Sequence, residues 1–366
     1  MPLALTLPAH YYTDPDQFRR EIEHFFMRNW VCAGRSGELP GRGDFVVREV
    51  GEESIILVRD DAGAIRAFFN VCRHRGTRLC AEPVGKTGGT IRCPYHAWTY
   101  DLAGRLIGAP HMDEAPGFRP EDWPLAGVST AEWDGHVFIN LGDDPKPIAD
   151  QLGALPDRFR PWGMAELVEA RRISYDVAAN WKLIIQNYSE CLHCPVIHPA
   201  LTRLSHYLSG ENEPAAPGYL GGAMTLREGV ASMTPEGTTR RPTLPGLGPA
   251  ECRSVQYYAI LPNLLLSLHP DFMMTHLLWP RAEDRTEVVC SWHFHPGAMA
   301  RADFDPSDAV AFWDETNRQD WRVCELSQQG IASRAYRPGP YSGREDLLRA
   351  FDALILRELG DLPPQS

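Results

Sequence analysis

The stretch Asn187-Tyr-Ser-Glu-Cys-Leu-His-Cys-Pro-Val-Ile-His-Pro199 gathers one carboxylate, Glu190, and two imidazoles, His193 and His198, directly after the apolar run Trp181-Lys-Leu-Ile-Ile185. An apolar run of this kind reads as a buried helix, and the polar residues at its end read as metal-ligand chemistry on a buried scaffold. Two histidines five residues apart on an unbroken helix would point about 140° away from each other, because each residue turns the chain by about 100°. Pro195 removes the difficulty by stopping the helix, so that His198 folds back towards His193 from the next segment. A zinc or redox pair made of Cys191 and Cys194 is the competing reading of the same residues, and so is a merely polar helix end.

Downstream, the chain supplies the architecture such a site needs. Strand-like segments at residues 255–261, 264–268, 273–279 and 286–295 read as consecutive antiparallel strands of one curved sheet, and residues 169–175 read as a strand ahead of the Trp181 helix. Asp305-Pro306 opens a long helix over residues 307–329, and a shorter one covers 345–359. Between them, residues 208–250 are rich in Gly, Pro and Glu, and are expected to form a lid or entrance loop. Two histidines leave a non-haem iron one protein ligand short, and a carboxylate would complete a facial triad with open positions for O2 and substrate. Asp320 fits, since it shares the largely uncharged face of the long helix with Trp313 and Asn317. Asp314, Glu315 and Glu325 compete for the role but read as solvated charges. Glu190 is a further candidate, although a carboxylate beside a metal-bound imidazole often acts from outside the coordination shell.

Upstream lie two loops, Cys72-Arg-His74 and Cys93-Pro-Tyr-His96, each with one thiolate and one imidazole. Eighteen residues separate His74 from Cys93, enough for a hairpin that sets the loops face to face. One tetrahedral zinc is an available reading, but the tight C-x-H step suits two neighbouring metals better, as in a [2Fe–2S] cluster with thiolates on one iron and imidazoles on the other. Cys80 lies outside this pattern and reads as a buried thiol. Short strands are expected around the loops, at 45–50, 54–58, 65–71, 98–102, 106–107 and 135–141. Gly142-Asp-Asp-Pro-Lys-Pro147 reads as a linker. Before the strands, Thr13-Asp14-Pro15 starts a helix that continues through Phe18, Ile22, Phe25, Phe26 and Trp30. The domains expected are therefore an N-terminal helix over 1–40 packing on the catalytic domain, a cluster domain over 41–147, and a catalytic domain over 148–366.

Composition sets the outer limits. The 366 residues are 43% apolar and 23% charged, with a net charge of −12, which describes a globular protein and disfavours nucleic acid or an anionic membrane as partner. No run of about twenty apolar residues exists to span a membrane. The N-terminus lacks a cationic start, and nine cysteines is an odd, scattered number. A cytoplasmic protein with reduced thiols is expected from these two features.

Taken together, Cys72-x-His74 with Cys93-x-x-His96 and Asn187-Tyr-x-Glu-Cys-x-His-Cys-x-x-x-His-Pro199 resemble the two motifs of the oxygenase α subunits of Rieske non-haem iron oxygenases, over nearly the whole chain. The resemblance implies an α+β fold, a Rieske β-sandwich joined to a helix-grip domain in which an antiparallel sheet wraps a long helix. It makes Cys72, Cys93, His74 and His96 ligands of the Rieske cluster. It gives His193, His198 and Asp320 a mononuclear Fe(II), with Glu190 and Asn187 as catalytic residues. It further implies a homotrimer, in which Glu190 links the catalytic iron to His96 of a neighbouring copy. It also implies that electrons come from a separate NAD(P)H reductase, with flavin and a plant-type iron–sulfur centre. Most members carry Asp at the Glu190 position, whereas Glu resembles the quaternary-ammonium branch that acts on betaine-like or carnitine-like substrates. Hydroxylation or oxidative N-demethylation of a small quaternary amine is expected, with Tyr257, Tyr258, Trp279, Trp292 and Trp313 as candidates to hold the cation. An aromatic acid is the alternative substrate, and a Rieske electron-transfer protein the alternative of another class. Thr77 and Tyr95 replace the disulfide-forming cysteines of respiratory Rieske proteins, and Cys191 and Cys194 read as packing.

Overall fold

The computed structural model describes residues 3–362 and divides the chain into two compact units: residues 26–146, and the chain up to Phe25 together with Pro147 onward. The first unit is all β. Its strands are β1 (Val31–Arg35), β2 (Asp44–Val50), β3 (Glu53–Arg59), β4 (Ile65–Phe69), β5 (Val84–Lys86), β6 (Thr90–Arg92), β7 (Thr99–Asp101), β8 (Leu106–Gly108), β9 (Gly127–Trp133) and β10 (His136–Asn140). Seven of these make one antiparallel sheet, in the order β1-β10-β9-β4-β3-β2-β5, and β6-β7-β8 make a second, smaller one. Ile56, Val58 and Phe68 from the first sheet share one apolar core with Ile91, Tyr100 and Leu106 from the second. That shared core is what joins the two sheets into a sandwich.

The chain between His74 and Cys93 is not the simple hairpin expected. β5 joins the edge of the large sheet beside β2, whereas β6 pairs with β7 in the small one. β1, β5, β6 and β9 were not expected as strands; three-residue β5 and β6 are too short to show a period.

The second unit is α+β. Strands β11 (Val168–Val177), β12 (Ser205–Asn212), β13 (Tyr219–Leu226), β14 (Ser254–Ile260), β15 (Leu264–Leu268), β16 (Met273–Ala282) and β17 (Arg285–Phe294) form one antiparallel sheet, ordered β11-β17-β16-β15-β14-β13-β12. The helix Ser307–Ile331 lies along one face, where Asn317 Oδ1 is 3.1 Å from His276 Nε2 and the Tyr175 hydroxyl donates to Asp314 (2.7 Å). Residues near Phe159 and Trp162 cover the other: Phe159 meets Tyr258 edge-on at 4.9 Å, and Trp162 Nε1 donates to His269 O (3.2 Å). With both faces covered, all five residues of β15 are buried and alternation disappears. The α+β expectation, an antiparallel sheet around a long helix, is therefore met.

Only part of the expected lid over 208–250 is irregular. Residues 205–212 and 219–226 are strands at the sheet edge, and the chain loses regular structure from Arg227 to the turn at Glu251–Arg253. Glycine misled the reading there. A Cβ on Gly221 would lie 2.5 Å from Tyr257 O, and one on Gly222 would lie 2.3 Å from Glu211 O, so these glycines permit close strand approach rather than a loop.

At the N-terminus, Asp14 caps the helix Pro15–Glu21 by accepting from Asp16 N (2.8 Å) and Gln17 N (3.3 Å). Instead of continuing as one α-helix towards Trp30, the chain passes into a wider π-type turn over Ile22–Met27. Glu21 and Lys182 are both fully buried and paired with each other, and Trp181 Nε1 also donates to Glu21 (2.9 Å). A buried pair of this kind fixes how the helix is seated, because removing either partner strands a charge. No helix of the described residues is long and apolar enough to cross a membrane.

Candidate metal centres

The two loops of the first unit are built alike. Cys72 N donates to Thr77 O (2.8 Å) and Gly76 N to Cys72 O (3.0 Å); Cys93 N donates to Trp98 O (2.8 Å) and Ala97 N to Cys93 O (3.2 Å). Each loop turns back through a positive φ four residues after its cysteine, at Gly76 (+73°) and Ala97 (+58°). Both thiols are buried, and the rings of His74 and His96 meet edge-on with centroids 4.7 Å apart. Trp98 stacks on His74 at 4.8 Å. The buried Tyr100 hydroxyl accepts from Arg73 N (3.1 Å) and lies 3.5 Å from Cys72 Sγ. Burial raises the Cys72 thiol, whereas at Cys93 backbone donors from Tyr95 and His96 overcome burial and hold the thiol below its usual range. Burial and then the neighbouring His96 keep His74 below its ordinary range, in the neutral form a metal requires.

One tetrahedral zinc would bring its donors to within about 4 Å of one another. Among the described residues, the group of three or more donors that converges to within 4.8 Å is His193, His198 and Asp320, and not the four residues of these loops. Their wider spacing, with both thiols buried, both imidazoles half-buried and His74 Nδ1 buried without a hydrogen-bond partner, fits a two-iron cluster.

In the second unit, Asn180 caps the helix Trp181–Tyr188 by accepting from Lys182 N (3.0 Å). That helix ends by itself at Tyr188. Pro195 therefore does not stop it; it occupies the first turn of a separate short helix, Cys194–Ile197, a position where its missing N–H costs nothing. The break between the helices still does what the histidine pair needs. The imidazole rings of His193 and His198 stand 5.1 Å apart, nearly perpendicular. Asp320 reaches them from the long helix, its Oδ1 lying 2.8 Å from His198 Nε2 and 3.3 Å from His193 Nε2. Each Nδ1 is engaged elsewhere, His193 with Glu190 Oε1 at 2.5 Å and His198 with Gln319 Oε1 at 2.7 Å. This leaves both Nε2 atoms directed at one point.

Glu190 also accepts from Leu192 N. Although burial opposes both shifts, Asp320 and Glu190 pull His193 up to about 9, and the two imidazoles hold the Asp320 carboxyl below its usual range. The competing carboxylates are occupied: Asp314 with Tyr175 and Arg318, Glu315 with Gln319, Glu325 with Arg322 and Ala178 N. Cys191 and Cys194, expected as packing, are instead joined in a disulfide. The turn from Cys191 O to Cys194 N (3.1 Å) brings their Cα atoms to 5.0 Å.

The three converging residues open into a cavity of about 150 Å³ walled by Tyr188, Tyr257 and Trp313. Tyr257 stands 6.1 Å from Tyr188 and 6.2 Å from Trp313, centroid to centroid. Strand alternation decides between neighbours: Tyr257 faces the cavity, and Tyr258 faces Phe159 on the opposite side of the sheet. Trp279 and Trp292 are buried away from the cavity. A second cavity, of about 590 Å³, shares Asn187, Glu190 and His193 with the first, so these residues are approached from two sides. Gln319 and Arg344, which lines the first cavity, escaped the sequence reading. Both are polar residues in helical or turn contexts, where solvation is the ordinary fate.

Two family models match the chain: a Rieske [2Fe–2S] domain over residues 29–119 and the catalytic domain of ring-hydroxylating α subunits over residues 164–360. The chain is similar to the glycine betaine monooxygenase oxygenase subunit of Chromohalobacter salexigens, with 34% identity over 92% of this chain and 82% of the relative. It is also similar to the carnitine monooxygenase oxygenase subunit of Escherichia coli, with 30% identity over 91% of this chain and 86% of the relative. A solved quaternary ammonium Rieske monooxygenase, described in terms of carnitine oxidation and inter-subunit electron transfer, superposes with a TM-score of 0.83 at 25% identity, over 97% of this chain and 96% of that one.

Proposed function

We propose that this chain, which belongs to the ring-hydroxylating oxygenase α subunits with a Rieske domain, hydroxylates or oxidatively N-demethylates a small quaternary-ammonium compound. The observation that carries the substrate reading is the placement of His193, His198 and Asp320 in a small cavity walled by Tyr188, Tyr257 and Trp313. A quaternary ammonium has no N–H to donate, so aromatic faces are its natural partners. At about 150 Å³ the cavity is well below the roughly 300–1,000 Å³ of sites for drug-sized ligands. The similarity to betaine and carnitine oxygenase subunits points the same way.

In this reading His193, His198 and Asp320 hold the catalytic iron, and Cys72, Cys93, His74 and His96 hold the Rieske cluster. Bound there, the cluster supplies single electrons and the mononuclear iron activates O2. The chain's own part is to shape access to them. Tyr257 and Trp313 hold the cation with a methyl or methylene group towards the triad. Glu190 keeps His193 oriented through Nδ1, and Asn187 lies beside both. Because Glu190 and His193 also face the second cavity, the same carboxylate can receive His96 of a neighbouring copy in a homotrimer, completing an electron path between subunits. A separate NAD(P)H-dependent reductase is the electron source. The cytoplasm is the compartment that the seven cysteines outside the disulfide favour, and its reducing conditions are expected to keep Cys191 and Cys194 as thiols there.

The test is reductase-coupled O2 uptake against betaines, carnitine and aromatic acids, with metal analysis alongside. Uptake with a quaternary amine and close to three irons per chain, two from the cluster and one from the triad, are expected. Uptake supported by an aromatic acid alone would overturn the substrate reading. Two irons per chain with no uptake would return the protein to the electron-transfer class.

A further inference from the structure

Arg344 is the single lysine or arginine among the described residues lining the triad cavity, where the acids are Glu190 and Asp320, both already engaged with the histidines. It precedes the helix Asp346–Glu358, in a turn where its own backbone N donates to Ser342 Oγ (3.3 Å). The acids beside it in sequence are committed elsewhere: Glu345 accepts from Ser342 N (2.7 Å), and Asp346 accepts from Asn212 Nδ2 (2.8 Å). The second bond ties this turn to β12, another wall of the cavity. The Arg344 side chain is exposed, and no carboxylate among the described residues pairs with its guanidinium; what sets it apart from other exposed arginines of the unit without an acid, such as Arg203 and Arg227, is its place in the lining of the triad cavity. An arginine left without an acid at the rim of a substrate cavity is a ready partner for a ligand carboxylate, which its planar fork grips with two parallel hydrogen bonds.

The cation-binding walls come from elsewhere: Tyr188 ends the helix that leads to Glu190, Tyr257 lies on β14, and Trp313 lies on the long helix. We propose that Arg344 is a specificity-determining residue that binds the carboxylate of a zwitterionic substrate, so that the enzyme takes a quaternary amine bearing a carboxylate in preference to a quaternary amino alcohol. The proposal rests on the quaternary-ammonium reading for one end of the substrate and on Arg344 for the other. An ammonium placed against Arg344 would be repelled, whereas a zwitterion placed with its cation between the rings and its carboxylate at the arginine satisfies both.

Calorimetric titration of the iron-loaded full chain, under anaerobic conditions, separates the two ends. Glycine betaine, carnitine, choline and benzoate are the probes. The intact protein is expected to bind betaine or carnitine at least about tenfold more tightly than choline, which lacks the carboxylate. Arg344→Gln removes that preference, weakening the carboxylated amines by about ten- to a hundredfold and choline by less than about threefold. Arg344→Lys recovers part of the loss. Equal weakening of choline and betaine in Arg344→Gln overturns the assignment, because it marks a structural role. Choline bound as tightly as betaine by the intact protein also overturns it, while leaving the quaternary-ammonium reading standing. Binding of benzoate alone, lost in Arg344→Gln, has the opposite meaning: the carboxylate site stands and the quaternary-ammonium reading falls.

Discussion

The two loops of the Rieske unit and the three-residue cluster of the catalytic unit position their candidate metal donors by opposite strategies. Each loop is complete within six residues, Cys72–Thr77 and Cys93–Trp98, and the two repeat the same pair of backbone hydrogen bonds and the same positive φ. The catalytic site joins His198 to a carboxylate 122 residues away, on a helix that the sheet must first position. A local site inherits its geometry from turn chemistry and survives whatever happens at a distance. A dispersed site exists only when the whole unit has folded, and each of its two imidazoles has a further side chain to aim it, Glu190 for His193 and Gln319 for His198.

The strongest way to break this contrast is His193→Ala. Loss of the mononuclear iron and a fall in O2 uptake of about a thousandfold or more are expected, with the Rieske visible spectrum unchanged. Disappearance of both centres together would show that they are not independently built. Glu190→Gln comes next: both metals stay, and steady-state turnover drops by about a hundredfold, since the variant keeps the shape but not the charge beside His193. Unaltered turnover in that variant removes Glu190 from the electron path. Gln319→Leu sharpens the point about aiming, because freeing His198 Nδ1 should weaken iron retention by about tenfold in chelator competition, within the range seen when such supporting partners are lost. Retention equal to that of the unmodified protein would mean that packing alone orients the ring. Smallest of all is Gly76→Ala, which places a Cβ at a φ of +73° and should cost about 1 kcal/mol in the thermal unfolding of the Rieske unit. Its counterpart Ala97→Gly removes a Cβ already at +58° and should shift unfolding less, or upwards.

Legibility followed the same division. Both loop motifs, and His193 and His198, could be read directly, because donor types repeated at fixed short spacings suit a metal site and little else. The strands β2, β3, β4 and β14 to β17 were visible in apolar runs bounded by turns, and the Ser307–Ile331 helix in its period. Strands β12 and β13 were not, since their glycines signal loops unless the neighbouring backbone is known. The expectation that Pro195 terminates the first helix had the right consequence for the wrong reason: Ser189 already leaves the helical path, and Pro195 begins the next turn. Cys191 and Cys194 could be read as metal donors, packing or a pair, and only their separation in space decided for the pair.

Sequence alone determined the chemistry available to this protein: which residue types can serve as donors, that they fall into two groups, and that the chain resembles the Rieske oxygenases. Those are statements about residue type and local spacing, which a linear pattern carries in full. The helix face favoured Asp320 over Asp314, Glu315 and Glu325 without reaching the histidines, and tertiary structure brings its carboxylate to them; tertiary structure alone decided that Tyr257 rather than Tyr258 faces the cavity, and that Arg344 stands at its rim without an acid. The physical reason is that carboxylates on one helix, or neighbouring tyrosines on one strand, differ only in the direction they face, and packing against the rest of the fold sets that direction.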